Sequence, residues 1–233
     1  MACRPVFVPT IDDDCLVKTH MVDFIWHPGY AVSQKQKSIE SLPHSAVEQY
    51  RLNRLLEVSS KSVETMGVSL SAFNLSATIK RTDCCYPVEN IFQSSKVFVN
   101  GGPFLSLREL SAKDAKKSPL LQQSGHLINF TLNRFDWPLE PKTMFYDWVY
   151  INALKQHQEF WKQLEQYEGF TDIEFNPKKS INCQAYSLAL FCALRVRGIL
   201  DEVTRSPQVF IDLVTQIPQN NAVEDQSVQP SLF

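Results

Sequence analysis

A chain of 233 residues, 44% hydrophobic and 21% charged, has the composition of an ordinary globular protein, and its core needs neither a disulfide nor a metal. With a net charge of -2, no whole-molecule field draws it to nucleic acid or to membrane, so any polyanion contact must come from a local patch. Its six cysteines and five histidines give no C-x-x-C pair and no zinc-ligand spacing, which leaves reduced thiols and no expected metal or cofactor.

In chain order, residues 4–8 and 22–26 read as short strands joined by an acidic loop at Asp12 to Asp14. A polar, basic stretch follows at 33–38, then a helix from Ser45 to Asn53. Residues 55–59 and 68–75 read as extended segments either side of a polar turn. Pro87 suits a first helical turn, so a helix is expected from Pro87 to about Val97, stopped by Gly101-Gly102-Pro103. A second helix is expected over 105–116, closed by Pro119, and residues 126–132 alternate like a strand. Residues 142–167 show one long helical pattern, 169–177 a turn with a short strand, 180–196 a buried helix, and 206–217 an amphipathic one. Beyond residue 217 the chain carries too little apolar surface to pack and reads as a loose tail. The simplest account is one α+β domain over 1–217, mainly helical with a small sheet. No signal-peptide pattern and no apolar run of spanning length is seen, so a cytoplasmic protein without a membrane partner is expected.

One stretch carries chemistry. In YPVENIFQSSKVF (86–98), Gln93 falls about 40° from Glu89 on a helical wheel and Lys96 about 20° to the other side. The three share a stripe among Val88, Ile91, Phe92 and Phe98. Spacing alone is equally met by a solvated stripe or a surface salt link. A second polar cluster alternates Thr171, Asp172, Glu174 and Asn176 with Ile173 and Phe175, and Asn182 opens the next helix. One reading makes Asp172 an Asx turn and Ser180 a helix cap; the other turns the backbone amides at that helix start toward a phosphate, aided by Lys178 and Lys179.

VSLSAFNL (68–75), YPVENIFQSSKVF and GFTDIEFNPKKSINCQA (169–185), in that order, resemble the NADAR domain family. FIWHPGYAVSQKQKSI (24–39), NGGPF (100–104) and DWPLEPKTMFYDW (136–148) are similar to the branch of NADAR antitoxins associated with DarT-type DNA ADP-ribosyltransferase toxins. The resemblance runs over about residues 4–215. Ala72 departs from it: members tend to carry asparagine directly before the aromatic residue, whereas here Asn74 follows Phe73.

The resemblance implies removal of ADP-ribose from guanine bases of DNA, with modified DNA, ADP-ribose and the cognate toxin as partners. Breaking that bond requires protonation of a poor leaving group, which a carboxylic acid in an apolar wall can supply; Glu89 is the candidate acid/base. A lysine amine can exchange into the imine of a ring-opened glycosylamine, making Lys96 the candidate nucleophile, or it can stand as a plain cation. Asp172 is the candidate second carboxylate, bonding ribose or activating water. Gln93 would orient Glu89 or bond sugar hydroxyls, with Phe73, Asn74, Phe92 and Asn182 as further substrate contacts. Trp26, Trp137, Trp148 and Trp161 have adequate core explanations. Lys35 and Lys37, or Lys113, Lys116 and Lys117, could meet DNA phosphates. Two other functions fit: a non-catalytic antitoxin that binds ADP-ribose or the toxin, and an N-glycosidase acting on small riboflavin-pathway intermediates.

Overall fold

The computed structural model describes residues 1–11, 14–29, 31–79, 83–178 and 180–217. Asp12 and Asp13 of the expected acidic loop, Lys179, and the expected tail from residue 218 lie outside them.

β1 (Ala2–Pro9) and β2 (Val17–Phe24) form an antiparallel hairpin with Ala2 opposite Phe24. α1 (Val32–Tyr50) is one helix where the sequence suggested a polar stretch and a later start. Its buried stripe is narrow, only Ser38, Ile39, Leu42 and Ala46, which is why the pattern looked like loop. The helix also covers the outer edge of β2. Gln49 pairs with both the N–H and the C=O of Asp23, Tyr50 donates to the Met21 carbonyl, and Ser41 and Ser38 accept from the amides of Ile25 and His27. Edge groups that could template another strand are thereby occupied.

β3 (Leu55–Glu57), α2 (Thr65–Ser69), β4 (Ser76–Ile79), β5 (Cys84–Pro87), α3 (Val88–Ser94) and β6 (Lys96–Phe98) follow. The extended structure expected over 68–75 is instead the end of α2 and a set of turns. Ser71 Oγ donates to the Val68 carbonyl at 2.7 Å, and the amides of Asn74 and Leu75 both return to the Ser71 carbonyl. α3 is shorter than expected because the hydroxyls of Ser94 and Ser95 both turn back to the Ile91 carbonyl, at 3.1 and 2.7 Å. Lys96 therefore opens a strand and is not on the helix.

A 3₁₀ turn at Leu105–Glu109 precedes α4 (Ala112–Lys117) and α5 (Pro119–Gln123), in place of the single helix expected over 105–116. β7 (Leu127–Leu132) and β8 (Phe135–Trp137) lead into α6 (Met144–Lys155). The long helix expected as far as Tyr167 breaks after Lys155, where Gln156 accepts from the Thr78 amide at 2.8 Å and His157 Nε2 meets the Ser76 carbonyl at 2.9 Å. α7 (Trp161–Leu164), β9 (Gly169–Thr171), α8 (Gln184–Val196), α9 (Leu200–Val203) and α10 (Pro207–Gln216) complete the order. α8 begins at Gln184 with Cys183 as its N-cap, so Ser180 is not the cap.

The fold is α+β, with three small sheets among the described residues, ordered β2-β1-β9-β3, β4-β5 and β6-β7-β8. In the first, β9 runs parallel to β3 and antiparallel to β1. Alternation along the strands sorts its side chains into two cores. Phe7, Leu56 and Phe170 join the larger one around α6 and α8, while Val6 and Leu55 join the smaller one beneath α1. α6 is buried nearly all round, which explains its weak amphipathic signal. Among the described residues no helix is long and apolar enough to cross a membrane.

Candidate active site

Two cavities, of about 390 and 510 Å³, open beside α3. Glu89, Lys116, Tyr146, Ser180 and Asn182 line both. The first continues along Phe73, Asp172 and four lysine-bearing positions including Lys61 and Lys113. The second holds Phe92, Gln93, Lys96, Leu127 and Phe130.

α3 is pinned from behind. Asn90 Nδ2 donates to the carbonyls of Leu107 and Leu110 at 3.0 and 2.7 Å, and Arg108 Nε donates to Ser94 Oγ at 3.1 Å. At its start, the amides of Val88 and Glu89 bond the carbonyls of Leu75 and Ala72. These ties leave Glu89 and Gln93 facing the cavities. Gln93 Nε2 donates to Glu89 Oε1 at 2.7 Å, which fixes the amide and leaves Gln93 Oε1 buried without a partner. Lys116 reaches the same Glu89 oxygen at 3.5 Å from an exposed position and lies 5.5 Å from the Phe73 ring centroid.

Lys96 arrives from β6, where it pairs with Phe130, yet its Nζ sits 4.8 Å from the centroid of Phe92 in the cavity that also holds Glu89 and Gln93. Among the described residues no carboxylate lies within ion-pair distance of it. Burial lowers its pKa from 10.5 to about 8; Glu89 opposes that shift and Lys116 adds to it. Phe92 is a fixed wall, its ring centroid 5.4 Å from Phe130 and 5.2 Å from Tyr146.

Asp172 follows β9 directly. Its Oδ1 accepts from the Glu174 amide at 3.0 Å, the expected Asx turn, and its Oδ2 accepts from Gln184 Nε2 at 3.0 Å. Gln184 Oε1 in turn accepts from the Ala72 amide at 2.7 Å, tying the loop before α3 to the start of α8. Behind Asp172 lies Glu57, whose carboxylate accepts from Thr171 Oγ1 at 2.7 Å and from the Ile173 amide at 2.9 Å. Burial pushes the pKa of both acids up, and the charge of Asp172 pushes Glu57 further the same way.

The remaining candidates divide. Asn182 borders both cavities with a buried, unpartnered Oδ1. Asn74 borders neither: its amide donates to the Val68 carbonyl at 2.8 Å. Lys113, Lys116 and Lys117 line the first cavity, whereas Lys35 pairs with Glu174 at 3.0 Å and lies 5.1 Å from the Trp26 ring. Trp137 is buried, and Trp148 and Trp161 pack against the larger core. Sequence reasoning did not single out Tyr146, Gln184 or Glu57, each contributed by a segment remote from α3. The helical period of α6 could have flagged Tyr146 only as a core residue.

A family model described as DarT1-associated NADAR antitoxin matches residues 2–224. No curated protein matches the chain.

Proposed function

The chain belongs to the DarT1-associated NADAR antitoxins, and from that membership we propose that it is a glycohydrolase removing ADP-ribose from guanine bases of DNA. The observation that carries the reading is a lysine amine, Lys96, with its pKa near 8 and no ion-pair partner among the described residues, in one cavity with the carboxyl of Glu89. An amine so placed is a nucleophile; a residue serving as a permanent cation gains nothing from losing its proton so readily.

The reaction starts with ring opening. The lone pair on the guanine amine forms a C1′=N⁺ iminium as the C1′–O4′ bond breaks, and O4′ takes the proton of Glu89. The neutral Lys96 amine adds to C1′, a proton passes to the guanine nitrogen, and the base leaves as an amine. The lysine Schiff base then takes up water, expels Lys96, and frees an aldehyde that recloses as ADP-ribose. Asp172, in the first cavity, orients or deprotonates that water. Gln93 holds Glu89 and offers its free carbonyl to a sugar hydroxyl.

The test is turnover on an oligonucleotide carrying ADP-ribosyl-guanine, run beside small glycosylamine substrates. Many bases freed per protein molecule are expected, with a borohydride-trapped adduct on Lys96. Lys96→Arg should abolish both the adduct and turnover, and Glu89→Gln should lower the rate by about 10² to 10⁴-fold while the fold persists. No release of bases despite binding of the modified DNA would favour a binding antitoxin, and preference for the small substrates would move the activity off DNA.

A further inference from the structure

Tyr146 stands in the first turn of α6, is 6% exposed, and lines both cavities beside Glu89. Its ring packs edge-on against Phe92, at 87° and 5.2 Å. One turn later, Tyr150 donates its hydroxyl to the Leu70 carbonyl at 2.7 Å. Among the described residues the hydroxyl of Tyr146 has no such partner. That oxygen is not one of the fully buried unpartnered atoms, so it opens onto the cavity space, where water or a ligand can bond it. Burial keeps this hydroxyl protonated far above neutral pH, so it can act as a donor.

The other open groups around the second cavity have the opposite character. Gln93 Oε1 and Asn182 Oδ1 are both buried acceptors without partners. Beside the Lys96 amine, the site therefore presents two buried acceptors without partners and the Tyr146 hydroxyl as a neutral donor. A ribose joined through C1′ presents the complement: two hydroxyl donors, O2′ and O3′, and one oxygen, O4′, that can only accept. We infer that the reacting ribose sits in the second cavity with O2′ and O3′ on Gln93 and Asn182, and that Tyr146 is a further catalytic residue donating its hydroxyl hydrogen bond to O4′. As the C1′–O4′ bond breaks, O4′ gathers negative charge and takes its proton from Glu89. Tyr146 keeps its own proton and strengthens its hydrogen bond to O4′ as that charge develops. The inference rests on the glycohydrolase reading above.

Tyr146→Phe removes one oxygen and leaves the ring contacts. On ADP-ribosyl-guanine DNA its kcat should fall by about 10²-fold, as loss of a single oxyanion donor does, with KM and the affinity for free ADP-ribose nearly unchanged. Borohydride trapping should slow in step, because the iminium forms more slowly. A kcat equal to wild type, or a loss confined to KM, overturns the role. If the phenylalanine variant does not fold, 3-fluorotyrosine at position 146 decides: a stronger donor should raise kcat, and a kcat at or below wild type overturns the proposal. Wild type runs in the same assay, so an inactive wild type sinks the glycohydrolase reading, whereas an active wild type matched by Tyr146→Phe sinks this inference alone.

Discussion

Lys96 and Lys116 face the same carboxylate from opposite environments, and the difference assigns their work. Lys116 is exposed and pairs with Glu89 at 3.5 Å, where water screens the interaction. Lys96 is desolvated, and the nearby Lys116 charge helps lower its pKa to about 8. Because the reaction needs the Lys96 amine neutral and the Glu89 carboxyl protonated together, kcat/KM should fall about tenfold per pH unit above about 8, where more alkali adds no neutral amine but goes on removing the proton of the acid. Lys116→Met removes a repelling cation, so the charged form of Lys96 becomes easier to hold and the inflection should move to higher pH. The rate at pH 7 should fall accordingly, while the alkaline limb, where Lys96 is already neutral, is less affected. A pH–rate profile of the two proteins checks this, and an inflection that stays put or moves down contradicts it.

At the scale of elements, the site depends on a short helix handing over to a strand. α3 places Glu89 and Gln93, and the chain then turns at Ser95 so that β6 can present Lys96. Gly102 guards that handover. Its φ is +98°, and a Cβ there would lie 2.3 Å from the Lys96 carbonyl oxygen and 3.1 Å from Val97 Cα. Gly102→Ala should therefore shift the start of β6 and destabilise the fold by about 1–3 kcal/mol. It should cost more in kcat than in KM, because a displacement of about 1 Å at a nucleophile can cost about 10²-fold; urea denaturation beside kinetics measures both. The Glu89–Gln93 pair was legible in the sequence because i,i+4 spacing within one helix is a local property. The strand address of Lys96 was not, since the i,i+7 count continues a helix that two serine hydroxyls end at Ile91. The break after α6 was hidden for a related reason: the groups that draw Gln156 and His157 away belong to β4, 78 and 81 residues earlier in the chain. Gln184, 112 residues from Ala72, is invisible to any local pattern.

Among the described residues Glu57, Glu89, Asp147 and Asp172 are buried acids, and the raised pKa values of Glu57, Asp147 and Asp172 set how stability should respond to pH across the molecule. Asp147, on α6, accepts from Ser187 Oγ at 2.6 Å, borders neither cavity, and has its pKa raised from 3.8 to about 7 by burial. Glu57 and Asp172 are raised as well, by the same cause. For each, the folded chain holds a proton that the unfolded chain releases, so the contribution is whole below the unfolded pKa and is lost as pH rises through the folded one. Lys96 runs the other way. Its contribution is whole above about 10.5 and is lost as pH falls through about 8. Stability should therefore decline from about pH 5 to about pH 8 and recover toward pH 10, with its minimum where Lys96 is half neutral. The site and the fold then favour different conditions: the pH that frees the nucleophile is the one at which the buried carboxyls are most strained. Urea unfolding from pH 5 to 10 measures the curve. Asp147→Asn keeps an acceptor for Ser187 while removing the proton linkage, so it should flatten the acidic limb by up to about 4 kcal/mol and leave kcat and its pH profile as in wild type. A decline that survives the substitution at full size would place the linkage on Glu57 and Asp172. In that case the same pH range that weakens the fold would also reshape the rate.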